Sequence, residues 1–335
     1  LFGSAFMLLG FLALYFESGD SGERTFDIAQ LTELGASGAF TGTFAFLVFG
    51  AMFLGFAVKV PMWPFHTWLP DAHTAAPTVG SVLLAAIMLK LGSYGFIRIS
   101  LPILPEEARN WAPFIAILAV IGIIYGSLAC LAQTDMKRLI AFSSVGHMGF
   151  VMLGIATMTD IGINAAIIGM VAHGLITGLL FFLAGAVKDR FGTGDLTRLG
   201  GLYGVVPHTG GLLAFGAMAS LGLPGLAGFW GEMLAIRAAV LPAEALPRTT
   251  FVVLGVVAAL GVILTSAYFL ALLRTLLQTS PLVDPPPLPA SGDTRRSEWL
   301  AWSPLVALTL VLGVAPGLLL TPVAEATRLF LGGLG

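Results

Sequence analysis

The sequence predicts an all-α, polytopic integral membrane protein. Of its 335 residues, 57 % are hydrophobic and only 10 % carry a charge. The mean hydropathy of +0.94 lies far from the balance of a soluble domain. Apolar stretches long enough to cross a bilayer, roughly 20 residues for a hydrocarbon core about 30 Å thick, recur along the whole chain. They do not alternate as barrel strands do. The net charge of −2 carries little information, because nearly all charges must lie in loops. The single cysteine, Cys130, excludes an intrachain disulfide framework and reads as a small core residue. No signal peptide is visible. The opening run LFGSAFMLLGFLALYF is already apolar at its first residue, so an upstream portion is expected.

Nine membrane segments are predicted from hydropathy. The first is the opening run, 1–16, followed by a polar connection over 17–40. The second, 41–62, is apolar up to Lys59 and then meets Pro61, Pro64 and Pro70. Proline removes an amide donor and clashes with the preceding turn. In a bilayer the freed carbonyls need another partner, so such a break belongs inside protein or against a wet cavity. The third segment, 78–99, carries Lys90 near its middle. The fourth is 112–132. The fifth, 139–157, holds His147, and the sixth, 162–187, holds His173. The seventh, 210–240, is interrupted at LGLPGLAG, where Pro224 sits among glycines ahead of Trp230 and Glu232. The eighth and ninth, 250–277 and 302–320, flank a connection containing PLVDPPPLP, which favours an extended linker. Interruptions at comparable places in two halves point to transporter repeats around a central site; ordinary proline kinks are the alternative.

Charges sort by loop. The side holding 17–40, side A, receives Arg24, Arg98, Arg109, Arg237, Arg248 and Arg328. The opposite side, side B, receives Lys137, Arg138, Lys188, Arg190, Arg198, Arg274, Arg295 and Arg296. This mild excess makes side B cytoplasmic. Three charged residues remain at membrane depth: Lys59, Lys90 and Glu232. A charge at the bilayer centre costs roughly 2.5–3.5 kcal/mol on insertion scales. Burial disfavours the ammonium form of Lys90 and the carboxylate form of Glu232, which suits reversible protonation. Lys59 sits at the first break, where exposed backbone dipoles and water can reach it. The bland readings are an ion pair for Lys90 and a helix-capping lysine for Lys59.

Two histidines extend this set. The helices carrying His147 and His173 form a hairpin whose turn centres near 159–160. Reflecting position 147 through that turn lands on about 172, so both imidazoles are expected at one depth, near mid-span. Histidine is the side chain best matched to proton relay near neutral pH. His66, His73 and Asp71 lie by the first break as entrance or capping groups. For His73 and Asp71 the capping reading is preferred, because Asp-x-x-Thr before Ala75 resembles a helix start. His208 reads as a loop residue. No phosphate-binding loop, dinucleotide fingerprint, haem site or iron–sulfur cysteine cluster occurs, and no stretch resembles a nucleic-acid surface. The chain reads as an ion conduit driven from elsewhere.

KVPMWPFHTWLPDAHTAAPTVGSVLLAAIMLKLGSYGF, DMKRLIAFSSVGHMGFVMLGI, HGLITGLLFFLAGAVKDR and GLPGLAGFWGE strongly resemble the antiporter-like subunits of respiratory complex I, in their M-type branch. The resemblance covers nearly the whole chain. It implies about fourteen helices in the family, of which nine are expected here, with two inverted repeats that each hold one discontinuous helix. Residues 1–100 would end the first repeat, 105–280 would form the second, and 281–335 would be a Pro-rich linker and terminal helix. The resemblance implies proton-transfer roles for Lys59, Lys90, His147, His173 and Glu232, and pairs Lys59 with a glutamate that this sequence does not contain. It implies no cofactor in this chain, with FMN, iron–sulfur clusters and quinone in partner subunits. The implied partners are L-type and N-type antiporter-like subunits, small membrane subunits and lipid. The implied location is the bacterial inner membrane, with 17–40 periplasmic. The implied function is proton translocation coupled to NADH oxidation and quinone reduction. A subunit of a multisubunit Na+/H+ antiporter is the alternative. A structural spacer is disfavoured, because it gains nothing from unpaired charge in lipid.

Overall fold

The computed structural model describes residues 1–278 and 293–332. These residues are helical with short connections and contain no strand. The helices are α1 (Phe2–Ser18), α2 (Ile28–Ala36), α3 (Gly42–Lys59), α4 (Trp68–Ala75), α5 (Thr78–Ile103), α6 (Pro105–Leu131), α7 (Met136–Ala156), α8 (Asp160–Phe191), α9 (Pro207–Ser220), α10 (Ala227–Val240), α11 (Arg248–Gln278), α12 (Arg296–Val314) and α13 (Gly317–Gly332). The linker PLVDPPPLP lies outside the described residues.

Seven of these, α3, α5 to α8, α11 and α12, are long and apolar enough to cross a membrane, and α1 is shorter at 17 residues. The expected count of nine segments, two of them interrupted, is therefore not confirmed among the described residues. The stretch 210–240 is two half-helices, α9 and α10, because Gly222 (φ 81°) and Gly225 (φ 94°) take left-handed conformations around Pro224. Only glycine adopts them without strain. The stretch 41–62 stops at Lys59, and a new short helix, α4, begins at Trp68. Trp68 spans that break by donating its indole N–H to the Val58 carbonyl at 2.9 Å, so one orphaned helix-end acceptor is filled.

Two helices escaped hydropathy. Inside 17–40, α2 starts at Asp27, whose Oδ1 accepts the amides of Ala29 (2.8 Å) and Gln30 (3.0 Å); this is an ordinary N-cap. After α12, the chain turns at Ala315–Pro316 and continues as α13, which carries Pro322, Glu325 and Arg328. Its polar residues interrupt the apolar run.

α7 forms the centre of the bundle, with 89 % of its spanning window buried against 17 % for α12. α6 and α7 approach each other through glycines. A Cβ on Gly126 would stand 2.9 Å from the Gly146 nitrogen, and one on Gly149 would stand 2.7 Å from the Ala119 carbonyl oxygen. With no hydrophobic drive between helices in lipid, such small-residue seams supply van der Waals contact. α8 lies along α7 and also meets α10, where a Cβ on Gly231 would stand 2.7 Å from the Gly169 Cα. The three helices that carry His147, His173 and Glu232 are thus held backbone to backbone.

Candidate functional site

The hairpin α7–α8 sets the first distance. The rings of His147 and His173 lie with centroids 5.7 Å apart and planes at 64°. Thr159 caps the second arm by accepting the Gly162 amide at 3.1 Å, so the turn, and with it the matching of depths, is defined by local hydrogen bonds.

Around this pair four side chains form a row. Lys90 Nζ lies 2.6 Å from His173 Nδ1. Lys90 also donates to the Ala85 carbonyl of its own helix. That carbonyl sits in a π-helical turn, Leu84–Met88. There the Leu89 amide reaches back five residues to Leu84, loosening the ladder and exposing an acceptor to a side chain. At the other end, His147 Nδ1 lies 3.1 Å from Glu232 Oε1, and its Nε2 lies 2.9 Å from the Ser220 hydroxyl. Side-chain exposures of 11 % for His147 and 9 % for Glu232 place this pair in the protein interior.

Between the two pairs lies a cavity of about 30 Å³, lined by His147, His173, Thr177, Ser220 and Glu232 together with apolar side chains. One water needs roughly 10–15 Å³ of such space, so two fit. His173 Nε2 and Glu232 Oε2 are both buried without a hydrogen-bond partner among the described residues, and both residues line this cavity. The cavity is large enough for water to reach both atoms. Chemically the row can do one thing well. Each contact joins a proton donor to a group able to accept, and no group is a metal cluster, since no set of three or more His, Cys, Asp or Glu suited to a metal occurs among the described residues.

Lys59 stands apart from the row. It is half-buried at the end of α3, and no carboxylate among the described residues lies within 4.0 Å of it. The frame brings the two lysines' helices close: a Cβ on Gly92 would stand 2.6 Å from Val60 Cγ2 and 2.9 Å from the Phe56 carbonyl. His66 packs its ring on Tyr125, centroids 4.9 Å apart, with Nδ1 unpartnered. The expectation that Asp71 and His73 cap a helix is wrong. α4 begins three residues before Asp71. Asp71 is exposed and faces Arg138 at 3.6 Å, while His73 is fully buried in the last turn. The Asp-x-x-Thr pattern misled because Thr74 bonds backward, to the Pro70 carbonyl at 2.6 Å. His208 is likewise in a helix, the second residue of α9, and its amide bonds to Asp293.

Ser220 and the Ala85 carbonyl were not anticipated. Ser220 carried a faint signal, being the polar residue that ends α9 at the GLPG break. The Ala85 carbonyl carried none, since a π-turn has no pattern in side-chain type.

Comparison with known proteins places this geometry. A profile for the family "NADH:quinone oxidoreductase/Mrp antiporter, TM" matches residues 1–263. The chain belongs to this family. Among members of the NADH:quinone oxidoreductase/Mrp antiporter family, NADH-quinone oxidoreductase subunit M of Rhodobacter capsulatus is 43 % identical over 321 residues, covering 94 % of this chain and 60 % of that protein. NAD(P)H-quinone oxidoreductase chain 4 of Trichormus variabilis is 42 % identical over 271 residues, covering 81 % and 49 %. A chain of respiratory complex I from Thermus thermophilus superposes with a TM-score of 0.87 at 30 % identity, over all of this chain and 67 % of that one. A chain of the Mrp complex of Dietzia superposes at 0.81 with 23 % identity, a likeness of fold alone. The chain thus spans about 60 % of the Rhodobacter relative.

Proposed function

We propose that this chain is the proton-carrying part of a membrane-arm subunit of an NADH:quinone oxidoreductase. The observation that carries the reading is the pairing of Lys90 with His173 and of His147 with Glu232, the two pairs meeting at one small cavity inside an apolar bundle. The relatives' names support the choice of complex. Protons on neighbouring members of the row repel, so a charge arriving at one end disfavours a proton at the next. Such a row acts as an electrostatic switch, biased by events elsewhere in the assembly. Lys90 ammonium gives its proton to His173 Nδ1, the imidazole releases the other from Nε2 into cavity water, and His147 and Glu232 pass it on. Lys59 at the first break loads Lys90. Residues 1–100 and 105–280 act as two repeats around the broken helices α3–α4 and α9–α10. Flavin, iron–sulfur clusters and quinone belong to neighbouring subunits, among them L-type and N-type antiporter-like subunits. The chain lies in the bacterial inner membrane with 17–40 periplasmic.

The test uses the intact complex in membrane vesicles, carrying Lys90→Ala or Glu232→Gln. NADH oxidation by an artificial acceptor that bypasses the membrane arm should stay at the wild-type rate. Formation of a pH gradient during quinone reduction should fall at least about tenfold, the size of a lost proton-transfer group. An undiminished gradient in either assembled variant overturns the proposal. The likeness in fold to the Mrp complex favours a second reading, a subunit of a Na+/H+ antiporter. Flavin and iron–sulfur absorbance in the purified native complex separates the two, being present only in the first.

A further inference from the structure

Ser220, the hydroxyl partner of His147, is the last residue of α9. Whatever fixes α9 along its axis therefore fixes that contact. α9 has 14 residues, about 21 Å of helix, too short to cross a bilayer alone. Its inner end runs into the second break, where Gly222 and Gly225 take left-handed conformations. Its outer end, on side B, has no cap of its own. The capping position holds Val206, whose side chain has no acceptor, and Pro207 after it has no amide to offer. The amides of His208 and Thr209 are left needing a partner.

That partner arrives from far along the chain. Asp293, just ahead of α12, accepts the His208 amide on Oδ2 and the Thr209 amide on Oδ1 at 3.3 Å. The Thr209 hydroxyl adds a bond to Oδ1 at 2.7 Å, and His208 Nδ1 lies 3.2 Å from Oδ2. The Asp293 side chain is only 10 % exposed, and a carboxylate suits the positive end of a helix. Asp293 sits in a corner that is itself fastened. The neighbouring Thr294 hydroxyl accepts the Trp299 indole N–H at 2.8 Å, and the Trp299 ring meets His208 edge-on, centroids 6.2 Å apart. Glu298 in the same corner holds Arg190 at the end of α8, the helix that carries His173. Residues 293–298 thus grip the outer ends of both α8 and α9. The inner end of α9 has no slack: a Cβ on Gly228 would stand 2.2 Å from the Ala219 carbonyl oxygen. A shift of α9 is passed on to α10, which carries Glu232.

We propose that Asp293 is a positioning residue for the row, capping α9 from the α12 corner and so holding the Ser220 hydroxyl on His147. This rests on the proton-carrying reading above. The packing of α9 on α8 runs through close apolar contact, as at Gly216 and Leu180, which has no preferred position along the axis. The directional bonds to Asp293 supply one.

The test uses the intact complex in vesicles. Asp293→Ala should leave artificial-acceptor activity unchanged and lower gradient formation about fivefold, the factor equivalent to a lost N-cap. Asp293→Asn, which keeps an oxygen for the amides, should recover part of the loss. The deciding variant is Asp293→Ala combined with Ser220→Ala. A residue that acts through Ser220 adds nothing once the hydroxyl is gone, so the double variant should pump as well as Ser220→Ala alone. A residue that merely stabilises the fold gives losses that multiply, and multiplied losses overturn the proposal. Should Asp293→Ala not assemble, Asp293→Asn combined with Ser220→Ala decides by the same comparison. Failure of both Asp293 variants to assemble assigns the residue to folding and overturns the proposal too. If Glu232→Gln stops pumping while Asp293→Ala pumps like wild type, the positioning role falls and the row stands. If Glu232→Gln pumps normally, the row itself falls.

Discussion

Glu232 owes its position to a residue without a side chain. Gly222 takes φ 81°, and a Cβ added there would stand 2.9 Å from Glu232 Oε2. Gly222→Ala therefore meets two obstacles: a left-handed backbone costing about 1–2 kcal/mol for an L-residue, and a collision with the carboxylate. Assembly should survive, since the break lies among connections rather than in a helix. Gradient formation should drop several-fold more than quinone reduction, as measured by a pH-sensitive dye in vesicles. Ser220→Ala offers a milder case. It removes the hydroxyl 2.9 Å from His147 Nε2 and leaves that nitrogen dry, a cost of about 1–3 kcal/mol. Pumping should fall roughly tenfold, less than for Glu232→Gln, and Ser220→Thr should recover part of it. Equal pumping in Ser220→Ala and wild type would show that His147 does not depend on the hydroxyl.

Among the helices, α12 is the least enclosed and depends on side-chain anchors. Arg190 at the end of α8 bonds Glu298 in the first turn of α12 at 2.6 Å, with side-chain exposures of 5 % and 21 %. The Glu298 carboxylate also accepts the Arg295 amide at 2.7 Å, so one group both caps α12 and ties it to α8. At the last turn of α12, Trp230 of α10 donates to the Gly313 carbonyl at 2.8 Å, fastening that end beside the second break. Removing one partner of the part-buried Arg190–Glu298 pair leaves a charge without its mate and costs about 1–3 kcal/mol. Glu298→Ala should lower the melting temperature of the detergent-purified protein clearly. The double variant Arg190→Met with Glu298→Leu should recover most of the loss, because no unpaired charge remains. A single variant as stable as wild type would mean that α12 is held by lipid-facing packing alone.

At the scale of the whole molecule the testable quantity is orientation. The excess of basic residues on side B argues that 17–40 faces the periplasm. Cys130 is buried, so the protein has little background thiol reactivity. Glu23→Cys, between α1 and α2, should react with a membrane-impermeant maleimide added to intact cells. Labelling only after the cells are permeabilised would reverse the assignment.

The sequence by itself determined the fold class, the common level of His147 and His173 along their hairpin, and the two breaks. Each of these follows from a one-dimensional property: the length of apolar runs, the reflection of positions through a short turn, or proline and glycine where an apolar run should continue. Family motifs in the sequence carried the resemblance for the same reason, being contiguous. What it could not determine is which buried groups meet. Lys90 and His173 are 83 residues apart, and His147 and Glu232 are 85; their contact depends on how glycine seams align α7, α8 and α10. The reading of Asp71 and His73 as caps failed for that reason too. A four-residue pattern cannot tell an exposed turn from one enclosed by α5, α7 and α8, and only that enclosure makes His73 a buried ring stacked on Phe181.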